Sequence, residues 1–207
     1  NRIEIAKAAT LAARTLAVGG TNDMWLRKLG STGIPTDDLI VGRVAGVNTG
    51  DGSVLGPVTT TLDNKFAAGT GLQSGTADQG LDGLTTTANS GKITLTTQGG
   101  NVTVKEAVTA NGGGYIDLRT ATAGNGGNIV IDNANNVPGT DRGILTSTSG
   151  AVQVIAGGSL TTTSANNAQT EIDTTGTVAL EAGKNIGTDS NRIEIAKAAT
   201  LAARTLA

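Results

Sequence analysis

The chain has no histidine and no cysteine among its 207 residues, and its aromatic residues are one Trp, one Tyr and one Phe. The first two absences exclude imidazole acid-base catalysis, thiol nucleophiles, disulfides and zinc sites built from Cys and His. The scarcity of large rings argues against an ordinary globular core. Charged residues make up 15% of the chain, which argues against a charge-rich disordered tail. Most familiar catalytic constellations are thereby excluded, and we expect a protein that is not an enzyme.

A segment of seventeen residues occurs twice. Residues 1–17 read NRIEIAKAATLAARTLA, and residues 191–207 repeat them without a change, at an offset of 190 positions. Chance does not produce an identity of this length, and internal repetition of this kind is typical of repeat architectures. We therefore predict that residues 1–190 form one complete repeat unit and that 191–207 begin the next. A natural tandem array and two engineered copies flanking a single unit would look the same at this stage.

The charge balance bears on the class of partner. The chain carries a net charge of −2 and the second copy of the duplicated segment contributes +2, so the 190-residue unit carries −4. This sign is opposite to that of a nucleic-acid binder, and no nucleic-acid partner is expected. No apolar run approaches the ~18 to 20 residues that a membrane-spanning helix needs, because Lys7 and Arg14 interrupt the most apolar stretch.

A short phrase recurs along the chain: Gly or a polar residue, any residue, an aliphatic residue, any residue, and a second aliphatic residue. This alternation with period two is typical of a β-strand with one buried face. At Gly91–Leu95, for example, it predicts Ile93 and Leu95 inside, with Lys92 and Thr94 outside. By the same rule Gln153 and Glu181 point outward. The phrase begins at Gly91, Gly100, Gly114, Gly127, Gly150, Gly176 and Asn191.

The spacing of these phrases predicts the architecture. The first six begin 9 to 26 residues apart, as strands do in coils of roughly 20 to 27 residues. We predict an all-β fold, a right-handed parallel β-helix (β-solenoid), with a tandem repeat unit of about 190 residues. Such a unit would contain roughly 7 to 9 coils and rise about 35 to 45 Å at ~4.8 Å per coil. Its narrow lumen would hold stacked aliphatic side chains in place of aromatic ones.

Two regions are less regular. Residues 18–66 contain three strand-like pieces, and we predict that they belong to further coils with longer loops. The segment Ile3–Leu16 fits either strands with a corner or a short Ala-rich helix. The three pieces are Met24-Trp25-Leu26, Leu39-Ile40-Val41 and Val54-Leu55.

The repeated phrases, together with Gly183–Thr188, Arg192–Ile195 and Leu201–Thr205, resemble the filamentous-haemagglutinin-like surface proteins of Gram-negative bacteria. The resemblance covers residues 67–207 well and residues 1–66 more weakly. It lies in the recurring pattern of residue types more than in a diagnostic motif. It implies export, an extracellular or cell-surface location, and a structural or adhesive role in a long fibre. The implied partners are adjacent repeats of the same chain or filament, neighbouring filaments, or cell-surface glycans. The amino-terminal secretion motif of that family is absent from residues 1–207.

Four residues are candidates for surface contact. Tyr115 lies on the predicted outer face beside Asp117 and Arg119, where an exposed ring can stack on a sugar or on a neighbouring fibre. A strand residue that simply covers its neighbours is the plainer interpretation of Tyr115. For Trp25, between two apolar residues, core filling is the plainer interpretation and surface contact the alternative. These residues support the alternative function of a glycan-binding module in a multivalent adhesin.

No cofactor is expected, although oxygen-rich turns could hold Ca²⁺. Solvated turns explain the same acidic residues equally well. A polysaccharide-acting enzyme is the least favoured function, because it needs clustered carboxylates, and the only compact acid-base pair is Asp117 with Arg119, with Asp132 on a nearby coil. The acidic turns in question are Asp37-Asp38, Asp51-Gly52, Asp132-Asn133 and Thr140-Asp141.

Overall fold

The structure of the chain is a computed structural model, and it describes residues 3–15, 22–30, 38–44, 47–48, 54–55, 81–87, 90–121, 126–134, 142–165 and 169–206. These residues form strands and turns without a helix. In chain order the strands are β1 (Ile3–Ile5), β2 (Thr10–Leu11), β3 (Ala13–Thr15), β4 (Met24–Lys28), β5 (Leu39–Val41), β6 (Arg43–Val44), β7 (Val47–Asn48), β8 (Val54–Leu55), β9 (Leu81–Asp82), β10 (Leu84–Thr86), β11 (Ile93–Thr97), β12 (Val102–Val104), β13 (Val108–Ala110), β14 (Ile116–Arg119), β15 (Ile129–Ile131), β16 (Leu145–Ser147), β17 (Val152–Ala156), β18 (Leu160–Thr162), β19 (Ile172–Thr174), β20 (Thr177–Ala182), β21 (Ile195–Ala196) and β22 (Thr200–Thr205). Over residues 3–15 of the segment Ile3–Leu16, strands are therefore found in place of a helix.

Three stacked parallel sheets make up the body of the described chain. Sheet A has the order β1-β4-β11-β14-β17-β20-β22, sheet B the order β18-β15-β12-β5-β2, and sheet C the order β21-β19-β16-β13-β10-β3. From β11 to β20, successive strands of the chain go to A, then B, then C, and then return to A beside the previous A strand. The prediction of an all-β chain with parallel strands in stacked sheets is confirmed, and the arrangement is compatible with a β-solenoid.

The length of chain between neighbouring strands of sheet A varies. Ile93 pairs with Ile116, 23 residues later, and Val178 pairs with Leu201 at the same distance along the chain. Other steps are longer, 36 residues from Ile116 to Val152 and 69 from Met24 to Ile93. Sheet A therefore makes six steps over the described residues, about 29 Å at ~4.8 Å each. The predicted 7 to 9 coils per unit stay a prediction, because much of the chain between Met24 and Ile93 and part of that between Ile116 and Val152 lie outside the described residues.

Strand pairing corrects part of the prediction for residues 18–66, in which all three strand-like pieces belong to coils. Met24-Trp25-Leu26 and Leu39-Ile40-Val41 do lie in the stack, in β4 and β5. Val54–Leu55 instead pairs antiparallel with Val47–Asn48, and Arg43–Val44 pairs antiparallel with Leu81–Asp82. The alternation that marks a strand does not show which strand it joins, so Val54–Leu55 was wrongly assigned to a coil.

The core consists of aliphatic columns that run along the stack. In sheet A, Met24, Ile93, Ile116, Val152 and Val178 are register partners, and every one of them is at most 5% exposed. Sheets B and C contribute equivalent columns through strands with the same alternation of buried and half-buried residues. Fully burying one such aliphatic side chain contributes roughly 1.5–3 kcal/mol. The columns thus stabilise the stack without disulfides.

Glycines line the corner where sheet C leads into sheet A. Gly91, Gly114 and Gly150 occupy successive levels of this corner, and their backbones are in close contact. A Cβ atom at Gly114 would clash with the carbonyl oxygen of Gly91, and one at Gly150 with that of Gly114. Close approach of coil to coil, more than an unusual φ, explains why the recurring phrase begins with glycine.

Buried hydroxyl groups hold the same corner. The Thr86 hydroxyl donates to the Gly91 carbonyl oxygen at 3.0 Å, and the Thr174 hydroxyl donates to that of Gly150 at 2.8 Å. The Ser147 hydroxyl donates to the Gly114 carbonyl at 2.6 Å. Backbone carbonyls that face the lumen at the corner are thereby satisfied, as burial requires.

Two carboxylates among the described residues are fully buried. Glu106 accepts from the Arg142 guanidinium at 2.9 Å. Glu171 accepts from the Thr162 hydroxyl at 3.0 Å and from the Glu194 backbone N–H at 2.7 Å. Burial raises the pKa of Glu171 above its ordinary value, because removal from water disfavours the charged form; these two hydrogen bonds oppose that effect.

A methyl group at the glycine corner is the most direct test of close stacking. We expect Gly150→Ala to lower the free energy of unfolding by roughly 2–4 kcal/mol, since the clash with the Gly114 carbonyl cannot be relieved by a side-chain rotation. Urea unfolding followed by circular dichroism measures the change. The matched control is Gly113→Ala, where the nearest atom is a serine hydroxyl at 3.2 Å, with an expected change within about 1 kcal/mol. Equal effects of the two substitutions would contradict the close stacking.

Glu171 should make the stability of the fold depend on pH. Its folded pKa lies above its unfolded pKa, so its contribution is fully present below about pH 4.5 and is lost as pH rises through the raised value. Glu171→Gln removes this titration. We expect the free energy of unfolding of the wild-type chain, relative to the variant, to fall between pH 4 and pH 7. A difference that stays constant over this range would contradict the raised pKa.

Candidate functional site on the outer face of sheet A

The four candidate surface residues lie on or beside one face of the molecule, the outer face of sheet A. Trp25 of β4 pairs in register with Thr94, and Thr94 pairs with Asp117 of β14. Trp25 and Asp117 thus share one outward column, two levels apart. Arg119 lies in the neighbouring column, and Tyr115 directly precedes β14. Sequence reasoning had placed Tyr115, Asp117 and Arg119 outside and had favoured a core position for Trp25, and it did not show that the four share a face.

Trp25 points outward. Its exposed fraction is 40%, whereas Met24 and Leu26 on either side are 5% and 2% exposed. The core-filling interpretation of Trp25 is therefore wrong. The residue sits on a strand with the regular alternation of the stack, so its flanking residues both turn inward and its ring must turn outward.

Tyr115 lies half-buried next to a cation. The Lys92 ammonium is 5.2 Å from the centroid of the Tyr115 ring, within the range of a cation–π contact. The contact covers part of one face of the ring. Both proposed roles, surface contact and cover for neighbouring residues, are compatible with this position.

Arg119 anchors the polar part of the face. Its Nε donates to Asp117 Oδ1 at 2.7 Å, and its Nη2 donates to the Gln153 side-chain oxygen at 3.3 Å. The hydrogen bond that Arg119 donates to Asp117 raises the pKa of Arg119, so the guanidinium stays charged. The Asp117 carboxylate is in turn paired with the Arg119 guanidinium. The arrangement presents fixed hydrogen-bonding groups beside aromatic rings, which suits recognition of a polar ligand better than proton transfer.

A shallow groove of about 290 Å³ continues this face across β17, β20 and β22. Gln153, Glu181 and Arg204 supply its polar groups, and Ile155 and Ala202 are among its apolar ones. Arg204 Nε donates to Glu181 Oε2 at 2.7 Å. Alternation had predicted that Gln153 and Glu181 point outward, but the pairing of Arg204 with Glu181 depends on stacking and carried no sequence signal.

Asp132 does not join this site. It follows β15 in sheet B, and its carboxylate accepts from the Thr163 hydroxyl at 2.7 Å and pairs with the Lys105 ammonium at 3.3 Å. The suggestion that Asp132 supports Asp117 from a nearby coil is therefore wrong, because the two lie in different sheets.

The acidic turn residues that the structure describes form hydrogen bonds and ion pairs between neighbouring coils. The Asp38 carboxylate accepts the Asn101 backbone N–H at 2.7 Å. Within the described ranges no cluster of three or more acidic side chains could hold a metal ion. Asp37, Asp51 and Asp141 lie outside these ranges, and the possibility of Ca²⁺ at their turns stays a prediction.

Across the described part of the chain, no helix is long and apolar enough to span a bilayer. No protein-family model, no curated protein and no solved structure matches the chain. The features of the chain that bear on its function are the stacked sheets, the outer face of sheet A and the duplicated segment.

Proposed function

We propose that the chain is a structural and adhesive segment of a long extracellular β-solenoid fibre, with right-handed coils and a repeat unit of about 190 residues. The observation that carries the proposal is sheet A, which runs without a break through seven parallel strands from β1 to β22. Backbone hydrogen bonds in this sheet run along the axis of the stack. A stack of this kind resists bending and extends by adding coils, so it gives the fibre length and stiffness.

The ends of the stack support extension. Every residue of β22 is exposed, and Leu201 is 55% exposed on that strand. At the opposite end Ile3 of β1 is 61% exposed. Exposed strands with apolar side chains at the edge of a sheet are templates for further strands. Both ends are thus chemically suited to continue the stack.

The proposed location is the surface of a Gram-negative bacterium or the surrounding medium. The support is the resemblance of the recurring phrases to exported fibrous proteins and the absence of cysteine, which suits passage through an oxidising periplasm. In this setting the partners are adjacent repeats of the same chain or filament and neighbouring filaments.

Electron cryo-microscopy of the native material tests the fibre. We expect a rod with an axial spacing of ~4.8 Å and an advance of about 29 Å over the six steps from β1 to β22, with right-handed coils. Separate globular particles without the axial spacing would overturn the proposal. A rod with left-handed coils would overturn the handedness alone.

A second candidate function is binding of cell-surface glycans along the fibre. The observation that favours it is the shared outer face of Trp25, Tyr115 and Arg119, where an exposed indole and a half-buried phenol ring lie on the same face as hydrogen-bonding groups. Aromatic faces stack on the apolar faces of sugars. Many copies of a weak site along one fibre would increase the overall avidity.

Replacement of the rings tests this second function. Trp25→Ala and Tyr115→Ala should each reduce retention of the chain on an array of bacterial and animal oligosaccharides by at least fivefold. Thr148→Ala, an exposed residue beyond the end of sheet C strand β16, is the matched control and should leave retention unchanged. Trp25 is the only tryptophan, so its fluorescence reports binding directly in the wild-type chain. Unchanged retention of both ring variants would remove the glycan proposal.

A further inference from the structure

The duplicated segment occupies two different positions in the stack. In the first copy, residues 3–5 lie in sheet A, and residues 10–11 and 13–15 lie in sheets B and C. In the second copy, the equivalent of residues 5–6 is β21 in sheet C, and the equivalent of residues 10–15 is β22 in sheet A. One sequence thus has two ways of packing against the same kind of stack.

The second position is held by charges of the segment itself. The Lys197 ammonium lies 3.0 Å from the Asp173 carboxylate, and the Arg204 guanidinium donates to Glu181 at 2.7 Å. The Glu194 backbone N–H donates to the buried Glu171 carboxylate at 2.7 Å. Along its whole length β22 lies in register beside β20.

Every one of these groups has an identical counterpart in the first copy. Lys7, Arg14 and Glu4 correspond to Lys197, Arg204 and Glu194, and the apolar residues that pack on the core, Ile193, Ile195 and Ala198, have counterparts of the same type. Whatever residues 191–207 contact in their own chain, residues 1–17 of another copy can contact with the same atoms.

The first position carries a cost of its own. Segment 1–17 covers Lys28, which is 3% exposed and whose ammonium donates to the Ala6 carbonyl at 3.1 Å. No carboxylate of the described residues forms an ion pair with Lys28. Burial of an ammonium without a counter-charge is costly. The ion pair between Arg27 and Glu4 is loose, at 3.6 Å and partly exposed. Release of segment 1–17 would return Lys28 to water.

We propose that residues 1–17 of one copy of the chain can occupy, in a second copy, the site of residues 191–207 on β19 and β20. This is segment exchange, in which an identical element is supplied by a neighbour. The exchange is heterologous, because the donor and acceptor surfaces lie at opposite ends of the stack, and it therefore joins copies head to tail in an open series. This proposal rests on the proposed fibre role, and the partner at each end of the stack is a second copy of the chain.

Cysteine cross-linking of full-length chains tests the exchange, since the wild-type chain contains no cysteine. The acceptor carries Ala179→Cys. It also carries Lys197→Glu and Arg204→Glu, which weaken the binding of its own residues 191–207 because they place glutamates beside Asp173 and Glu181. The donor carries Ala12→Cys. Ala179 pairs in register with Ala202, the equivalent of Ala12, and neighbouring strands place paired Cα atoms within disulfide range. With oxidised glutathione as the oxidant, we expect a cross-linked heterodimer at least tenfold in excess of that formed by a donor with Ala151→Cys, an equally simple change at an exposed position.

Charge variants supply the matched controls. A donor with Lys7→Glu and Arg14→Glu added should lose the cross-link. Adding Glu181→Arg to the acceptor should also reduce it, because the acceptor's own segment is restored and Arg14 of the donor is repelled. A single chain with Ala179→Cys and Ala202→Cys should form the disulfide internally.

The outcomes separate this inference from the fibre role. Equal cross-linking by the Ala12→Cys and Ala151→Cys donors would overturn the exchange. An amount of cross-linked heterodimer that is unchanged in the charge variants would overturn it as well. Failure of the internal disulfide would overturn the site itself. If the cross-link fails while cryo-microscopy shows a continuous rod, the exchange alone is overturned. If the cross-link forms and no rod is seen, the fibre role fails and the copies meet only in pairs or short series.

Discussion

The in-register hydrogen bonding of parallel strands between successive levels is the constraint on which the rest of the structure depends. It sets a spacing of ~4.8 Å along the stack, so each side chain meets the equivalent side chain of the level above. The column that runs from Met24 through Ile93 to Val178 is the result. Only small and aliphatic side chains fill a lumen of this kind, and the scarcity of aromatic residues follows.

The same spacing controls the corners and the buried charges. At Gly114 and Gly150 the levels approach too closely for a Cβ atom, and nearby hydroxyl groups satisfy the carbonyls that face inward. Glu106 and Glu171 are tolerated inside because each is met by donors from another level. Polar groups in the interior are thus part of the stacking and do not form a separate site.

The outer face follows from the inner one. Once Met24 and Leu26 are committed to the core, Trp25 has to point outward, and stacking then aligns it with Asp117 two levels away. The duplicated segment pairs with the stack in two ways: in sheets C and A, as in 191–207, and in sheets A, B and C, as in 3–15. This ambiguity of register is what makes exchange between copies physically reasonable.

Much of the local structure could be inferred from residue order, because alternation of side chains around a strand is a local property. It assigned Ile93 and Leu95 to the core and Gln153 and Glu181 to the surface correctly, and the seventeen-residue duplication was evident without any structure. Tertiary structure alone decided which strand each piece joins. Val54–Leu55 left the stack, Asp132 went to sheet B, and Arg204 met Glu181, because pairing between strands depends on the length of the intervening chain and on contacts between residues far apart in sequence. The two positions of the duplicated segment show the difference most clearly, since identical residues were placed by their neighbours and not by their own order.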